Sequence, residues 1–248
     1  SEAIVTAVKE TEKKVKAPKL YDLTTLQREA NRIYGMTAKQ TLDTAQSLYE
    51  KKLITYPRTD SQYLTEDMEQ TARNVVRQIY EKYQLTGPFD QPEQPDVKKV
   101  MNNSKVTDHH AIIPTMELAS CHLDELKSWE EKILFLIAVH TVMAMSKDHI
   151  YQETEIEVEC QEEIFKAKGK IVLQDGWKLF ENCFKNKDRM AIVDPDQEMK
   201  ERMPKVTQGQ TFYAVDAEKT EHFTSPPKPY SDVIFCERKE WIGIEERS

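Results

Sequence analysis

Hydrophobic periodicity changes once along this chain, near Asp148, and that switch limits what it can fold into. Before it, apolar residues recur at helical spacing. After it they alternate. From Glu153 to Cys160, Thr154, Ile156, Val158 and Cys160 point one way, and Glu153, Glu155, Glu157 and Glu159 the other. That pattern predicts a half-buried strand with one acidic, solvated face. Ile164–Leu173 and Gln210–Val215 continue the β pattern. The chain therefore reads as α+β, with a mostly helical domain over residues 16–150 and a β domain over 151–230.

Within the helical part the ends of the helices are written in the sequence. Thr24 with Gln27 forms a capping box, Leu26, Ala30 and Ile33 share a face, and Gly35 suits the end of that helix. Thr37 with Gln40 forms a second capping box for a helix reaching about Lys51, with Ala38, Leu42, Ala45, Leu48 and Tyr49 on its apolar side. Two helices joined by a tight glycine turn and followed by an extended segment resemble a helix-turn-helix or winged-helix unit. A third helix is expected from Thr65 to about Tyr83, with Met68, Ala72, Val75, Val76 and Ile79 inward. Thr86–Asp96, rich in proline, reads as a loop. A fourth helix spans 122–147, its buried stripe formed by Leu126, Trp129, Ile133, Leu136, Ile137, His140 and Met143. His140 reads as a core histidine and the methionines as packing.

Between the second and third helices lies Leu53-Ile54-Thr55-Tyr56-Pro57-Arg58-Thr59-Asp60-Ser61. Leu53–Thr55 favours an extended backbone, Pro57 stiffens the chain, and Tyr56 is biased away from the helical region by that proline. Two readings of this stretch stay open on spacing alone. One is an ordinary strand end with a half-buried tyrosine. The other is a nucleophile aimed at a phosphodiester. A phenol has a pKa near 10, so forming tyrosinate at pH 7 costs about 4 kcal/mol. One guanidinium about 4 Å away in a partly shielded site offsets about that much. Arg58 could also grip phosphate oxygens bidentately, which lysine cannot do.

Thr55-Tyr56-Pro57-Arg58-Thr59-Asp60-Ser61 resembles the nucleophile motif of the type IA DNA topoisomerases, in the form found in bacterial topoisomerase III. The lead-in from Pro18 to Asn31 and the run Asp108-His109-His110-Ala111-Ile112-Ile113-Pro114-Thr115 are similar to that family as well, in the same order. The likeness extends from about residue 15 to about residue 230 and covers the middle of such an enzyme.

The resemblance implies a reaction and a role for each of several residues. Tyr56 attacks single-stranded DNA, leaving a 5′-phosphotyrosyl link and a free 3′-hydroxyl, and religation reverses the step without ATP. Arg58 positions the phosphate, and His109 aids binding or proton movement. Gln46 and Glu50, four apart on one helix face, lie toward the scissile strand, while Asp60 orients Arg58 or neighbouring hydroxyls. His110, at the variable position of the motif, is the weaker DNA-binding candidate. The helical domain is expected to be a winged-helix-like (catabolite-activator-like) insertion in a β-rich arch. Residues 1–15 then end the first segment of that arch, 151–230 form its second segment, and 231–248 are an atypical tail. Magnesium is expected on a toprim domain outside this chain, with no metal site in residues 1–248, and the remaining domains of the same enzyme are the expected partners. Such a piece alone is expected not to relax DNA.

Composition trims the alternatives. The net charge of −8 counts against a uniformly basic DNA-binding surface, so any groove for nucleic acid must be local. No apolar run approaches the ~20 residues of a membrane span, and no leader precedes the charged opening, so a cytoplasmic protein is expected. The four cysteines are far apart with no C-x-x-C pair, which argues against a zinc ribbon. His109 and His110 are adjacent and point apart in an extended chain, which makes a shared metal a poor reading. Asp194-Pro195-Asp196 has the look of an acidic metal motif but reads as a turn around its proline. The segment from Thr224 to Ser231 is similar to the family, whereas Asp232–Trp241 departs from it, as a truncated or frame-shifted tail would. Two other readings remain: a non-catalytic helix-turn-helix DNA-binding module, and a protein-interaction scaffold.

Overall fold

The structure, a computed structural model, describes residues 2–85, 95–181, 205–213 and 221. The Asp194-Pro195-Asp196 turn, the stretch from Thr224 onward with the tail, and most of the Thr86–Asp96 loop lie outside the described residues. The chain is α+β, as its periodicity predicts, and its described residues divide into two compact units.

The first unit holds residues 2–16, 148–176 and the described residues between 205 and 221. Its core is an antiparallel sheet of β1 (Glu2–Val15), β2 (His149–Cys160), β3 (Glu163–Gln174) and β4 (Thr211–Tyr213), in the order β3-β2-β1-β4. Glu2–Val15, expected within the end of the first β segment, form a fourteen-residue strand. Its register against β2 runs from Ala3↔Cys160 to Val15↔His149, with an irregularity between Val5 and Ala7. The lysines and glutamates of β1 fit this pairing better than a linker, because opposite charges can meet across the ladder. The acidic face of β2 is present, and three of its four glutamates are paired with lysines. Glu157 pairs with Lys166 at 2.5 Å, Glu155 with Lys168, and Glu153 with Lys13 at 2.5 Å. Val5 and Ile156 are the buried apolar residues of the ladder.

The second unit holds residues 17–147 and 177–181. It contains α1 (Leu23–Tyr34), α2 (Ala38–Glu50), α3 (Glu69–Tyr83), α4 (Ser128–Ala144) and the single turn α5 (Lys178–Glu181). The first helix begins earlier than the Thr24–Gln27 pairing predicts. Asp22 is its cap, accepting from Thr25 N at 2.7 Å, while the Thr25 hydroxyl accepts from Asp22 N. An ionised carboxylate at the positive end of a helix outcompetes a hydroxyl two residues on. Gly35 ends α1 in the left-handed region at φ 67°, as expected. The Thr37–Gln40 capping box of α2 forms as read.

The fourth helix starts six residues later than periodicity alone predicts, at Ser128. Lys127 is extended, and the Glu130 carboxylate accepts from Lys127 N at 3.0 Å, closing the helix end there. Nor does α4 carry a single stripe. Every residue from Ile133 to Val139 is buried, while Trp129, expected inside, is 44% exposed. A helix apolar all round is the central element of a bundle, with the others packed about it. Leu26 and Ala30 of α1, Ala45 and Leu48 of α2, and Val75, Val76 and Ile79 of α3 share its core. Tyr21 stacks on His140 of α4 at 3.6 Å between centroids, and His140 Nε2 lies 2.8 Å from Lys19 O. His140 is the packing histidine expected, and burial holds its pKa down to about 4.

Candidate functional site

Helix α2 stops at Lys51, and Lys52 turns the chain through the left-handed region at φ 62°. Leu53 and Ile54 then enter the core, and the backbone pairs with the segment Ala111–Thr115. Thr55 N donates to Ile113 O at 3.0 Å, and Thr115 N donates to Leu53 O at 3.0 Å. The Thr55 hydroxyl completes this short pairing by donating to Ala111 O at 2.9 Å and accepting from Ile113 N at 3.0 Å. β-Branched and apolar residues thus bring the chain up in extended form, as their propensity predicts.

Beyond Tyr56 the backbone is irregular, and its polar groups need partners from side chains. Thr59 Oγ1 donates to His109 O at 3.0 Å and accepts from Ser61 N at 3.1 Å. Ser61 Oγ donates to Lys105 O at 2.8 Å. Thr59 O accepts from Leu23 N at 3.0 Å, which ties the turn to the start of α1. Thr59 and Ser61 are buried, while Arg58 and Asp60 beside them are exposed. The alternation is physical: the hydroxyls face inward to satisfy carbonyls, and the charged side chains are left to solvent.

This stitching brings together residues far apart in sequence. The Tyr56 and His109 rings lie 4.3 Å apart between centroids, tilted at 44°. Tyr49, from the last turn of α2, meets the Tyr56 ring edge-on at 5.3 Å. Gln46 Nε2 donates to Glu50 Oε1 at 3.3 Å on that helix. Gln46, Tyr49 and Glu50 stand at i, i+3 and i+4, so one face of α2 carries all three. The sequence pattern puts Tyr49 on the apolar side of α2, yet it is exposed and belongs to this cluster. The signal lay in that same spacing from Gln46. His110 Nδ1 lies 2.9 Å from Ala111 O, so one of its ring nitrogens is engaged by the backbone. Among the described residues no ion pair joins Asp60 to Arg58. Among the described residues neither side chain is hydrogen-bonded, so solvation outweighs a pairing of exposed charges here.

A second, buried polar cluster fixes the end of α2. Glu130 is 3% exposed, and its carboxylate accepts from Ser47 Oγ at 2.7 Å, Lys51 Nζ at 2.6 Å and Lys127 N at 3.0 Å. Burial opposes its ionisation, but the lysine and the three hydrogen bonds prevail and hold its pKa down to about 2. Sequence reasoning does not single out Glu130, because nothing local separates it from Glu131.

The family model described as DNA topoisomerase matches residues 1–237. The chain belongs to the type IA DNA topoisomerase family. It is 36% identical over 239 residues to a protein named DNA topoisomerase 3 from Bacillus licheniformis, covering 93% of this chain and 31% of that one. Proteins of the same name from Bacillus subtilis and Bacillus cereus are 36% and 32% identical, over 93% and 96% of this chain and 31% and 32% of theirs. Among solved structures, full-length topoisomerase I from Thermotoga maritima superposes with a TM-score of 0.66 at 25% identity, covering 98% of this chain and 38% of that chain. This type IA chain thus spans about a third of the length of the curated relatives it matches. No group of three His, Cys, Asp or Glu side chains among the described residues is arranged to hold a metal ion. No helix among the described residues is long and apolar enough to cross a membrane.

Proposed function

We propose that residues 1–248 are the nucleophile-bearing part of a type IA topoisomerase and that Tyr56 is the nucleophile. The observation that carries this reading is the contact of Tyr56 with His109 at 4.3 Å, with an uncommitted, exposed Arg58 two residues on. Tyr56 Oη attacks the phosphorus of a single-stranded DNA phosphodiester. The Tyr56 O–P bond forms, the P–O3′ bond breaks, and the 3′-oxygen takes up a proton to leave as a hydroxyl. The DNA keeps its 5′-phosphate as an ester of the tyrosine. Religation runs the same steps backwards, so the phosphodiester energy is retained and ATP has no role.

Arg58 faces the two non-bridging oxygens that share the phosphodiester's negative charge and stabilises the charge that grows on them. His109 contacts the phosphate as a cation or carries the phenol proton. Gln46 and Glu50, with His110 and Asp60 at the margins, line the approach of the strand. The helical unit acts as a winged-helix-like insertion between the two segments of a β arch, residues 1–15 and 151–230. Magnesium and the other half of the active site come from the remaining domains of the same enzyme, working in the cytoplasm on DNA.

The test is adduct trapping on single-stranded DNA in an enzyme that includes this chain together with those domains. A phosphotyrosyl peptide containing Tyr56, lost in Tyr56→Phe while DNA binding persists, supports the assignment. Salt-sensitive binding with no adduct would favour a non-catalytic DNA-binding module instead.

A further inference from the structure

Lys19 and Lys105 are far apart in sequence and meet over one ring. Lys19 Nζ lies 5.6 Å and Lys105 Nζ 5.1 Å from the centroid of Tyr63. Both lysines are exposed, and among the described residues neither forms an ion pair. The carboxylates nearest to them in sequence, Asp22 and Asp108, pair with neither. In a chain of net charge −8, two uncompensated ammonium groups on one aromatic ring form a local concentration of positive charge.

The patch is built rather than casual. Tyr63 O accepts from Ala111 N at 2.9 Å, Lys105 O accepts from Ser61 Oγ at 2.8 Å, and Lys19 O lies 2.8 Å from His140 Nε2. Each of the three residues is therefore anchored through its own backbone. They stand beside the same paired segments that place Tyr56 and His109. Thr55 and Thr59 bond to Ala111 and His109, and further along Ser61 and Tyr63 bond to Lys105 and Ala111. The ring holds the lysine stems in place by cation–π attraction and leaves the remaining ammonium protons for an anion.

We infer that Lys19, Tyr63 and Lys105 form a phosphate-binding subsite for single-stranded DNA, holding the strand a few nucleotides from the scissile phosphodiester at Tyr56. The inference rests on the proposed function above, because it takes DNA as the ligand. The feature of the strand being recognised is charge on its backbone, so the subsite carries no base preference.

The measurement is binding of this chain to a fluorescein-labelled oligothymidylate as a function of salt, read by anisotropy. Replacing both lysines by glutamine should reduce the steepness of the fall of log affinity with log salt by about 1.4, since each single-strand phosphate contact contributes about 0.7. Lys19→Arg with Lys105→Arg should restore the slope. The control is Lys166→Gln with Lys168→Gln, which removes the same charge from lysines already paired with Glu157 and Glu155. An unchanged slope in the first variant, or an equal fall in the control, overturns the subsite while leaving Tyr56 chemistry standing. Absence of any oligothymidylate binding by the unaltered chain overturns the DNA reading itself, and the subsite with it.

Discussion

Glu130→Gln tests the polar cluster that holds the end of α2. The carboxylate is removed from solvent, its ordinary pKa of 4.5 is depressed to about 2, and Ser47, Lys51 and Lys127 satisfy it. A shift of that size corresponds to about 3 kcal/mol of linkage at neutral pH. Lys51 is 40% exposed, so solvent screens part of the attraction, and about 1–2 kcal/mol is the expected loss. For a chain of this length that lowers the midpoint by roughly 5 °C.

The sign is set by the direction of the shift. As pH falls, the folded state takes up its proton later than the unfolded state does. The contribution is therefore complete above pH 4.5 and disappears as pH falls toward about 2. Glutamine cannot ionise and carries none of it. Thermal melts of both proteins, followed by tryptophan fluorescence at pH 7, 5, 4 and 3, should show a gap that is constant above about pH 5 and narrows below it. Equal midpoints at pH 7, or a gap that does not change with pH, would show that the Lys51 and Ser47 contacts contribute packing and no net charge stabilisation.

Other residues give further expected outcomes. His140, held neutral by burial with a pKa of about 4, contributes stability that is complete above pH 6.5 and is lost as pH falls toward 4; His140→Phe, measured by urea titration across that window, should flatten this dependence. Lys52→Gly should stabilise by about 0.5–1 kcal/mol, because a non-glycine residue at φ 62° carries a steric cost; a destabilised variant in the same titration would mean that the Lys52 side chain matters more than its backbone. A polypeptide of residues 1–248 supplied with magnesium should fail to relax supercoiled plasmid, since orientation of the reacting groups and the partner charges come from outside it. Steady relaxation that vanishes in Tyr56→Phe would refute that expectation.

Element types were legible in the sequence wherever a local rule decides them. The Thr37–Gln40 box, Gly35 at the end of α1 and the alternation of 153–160 all depend on residues within one turn or one strand of each other. The failures share a cause of the opposite kind. The strand β1 is defined by a partner more than 130 residues away, and its own charged residues leave its length open until Glu153 is set beside Lys13. The late start of α4 was hidden because Glu130 closes the helix end on Lys127 while also reaching back to Ser47 and Lys51 at the end of α2. Periodicity describes one element against an average environment and has no access to such pairings.

The site repeats this division at shorter range. Tyr56, Arg58 and His109 could be named from motif order, but their mutual position depends on carbonyl groups that no side-chain pattern records. Thr55 and Thr59 read as polar neighbours of a tyrosine, yet their hydroxyls join residues 55 and 59 to Ala111 and His109 and set the distance between the two rings. A hydroxyl that donates to a carbonyl and accepts from an N–H holds an irregular backbone as a ladder would hold a strand. That arrangement explains why the charged side chains of the motif stay in solvent. Among the described residues Arg58 and Asp60 carry no side-chain hydrogen bond, whereas the buried Thr59 and Ser61 carry the structural bonds.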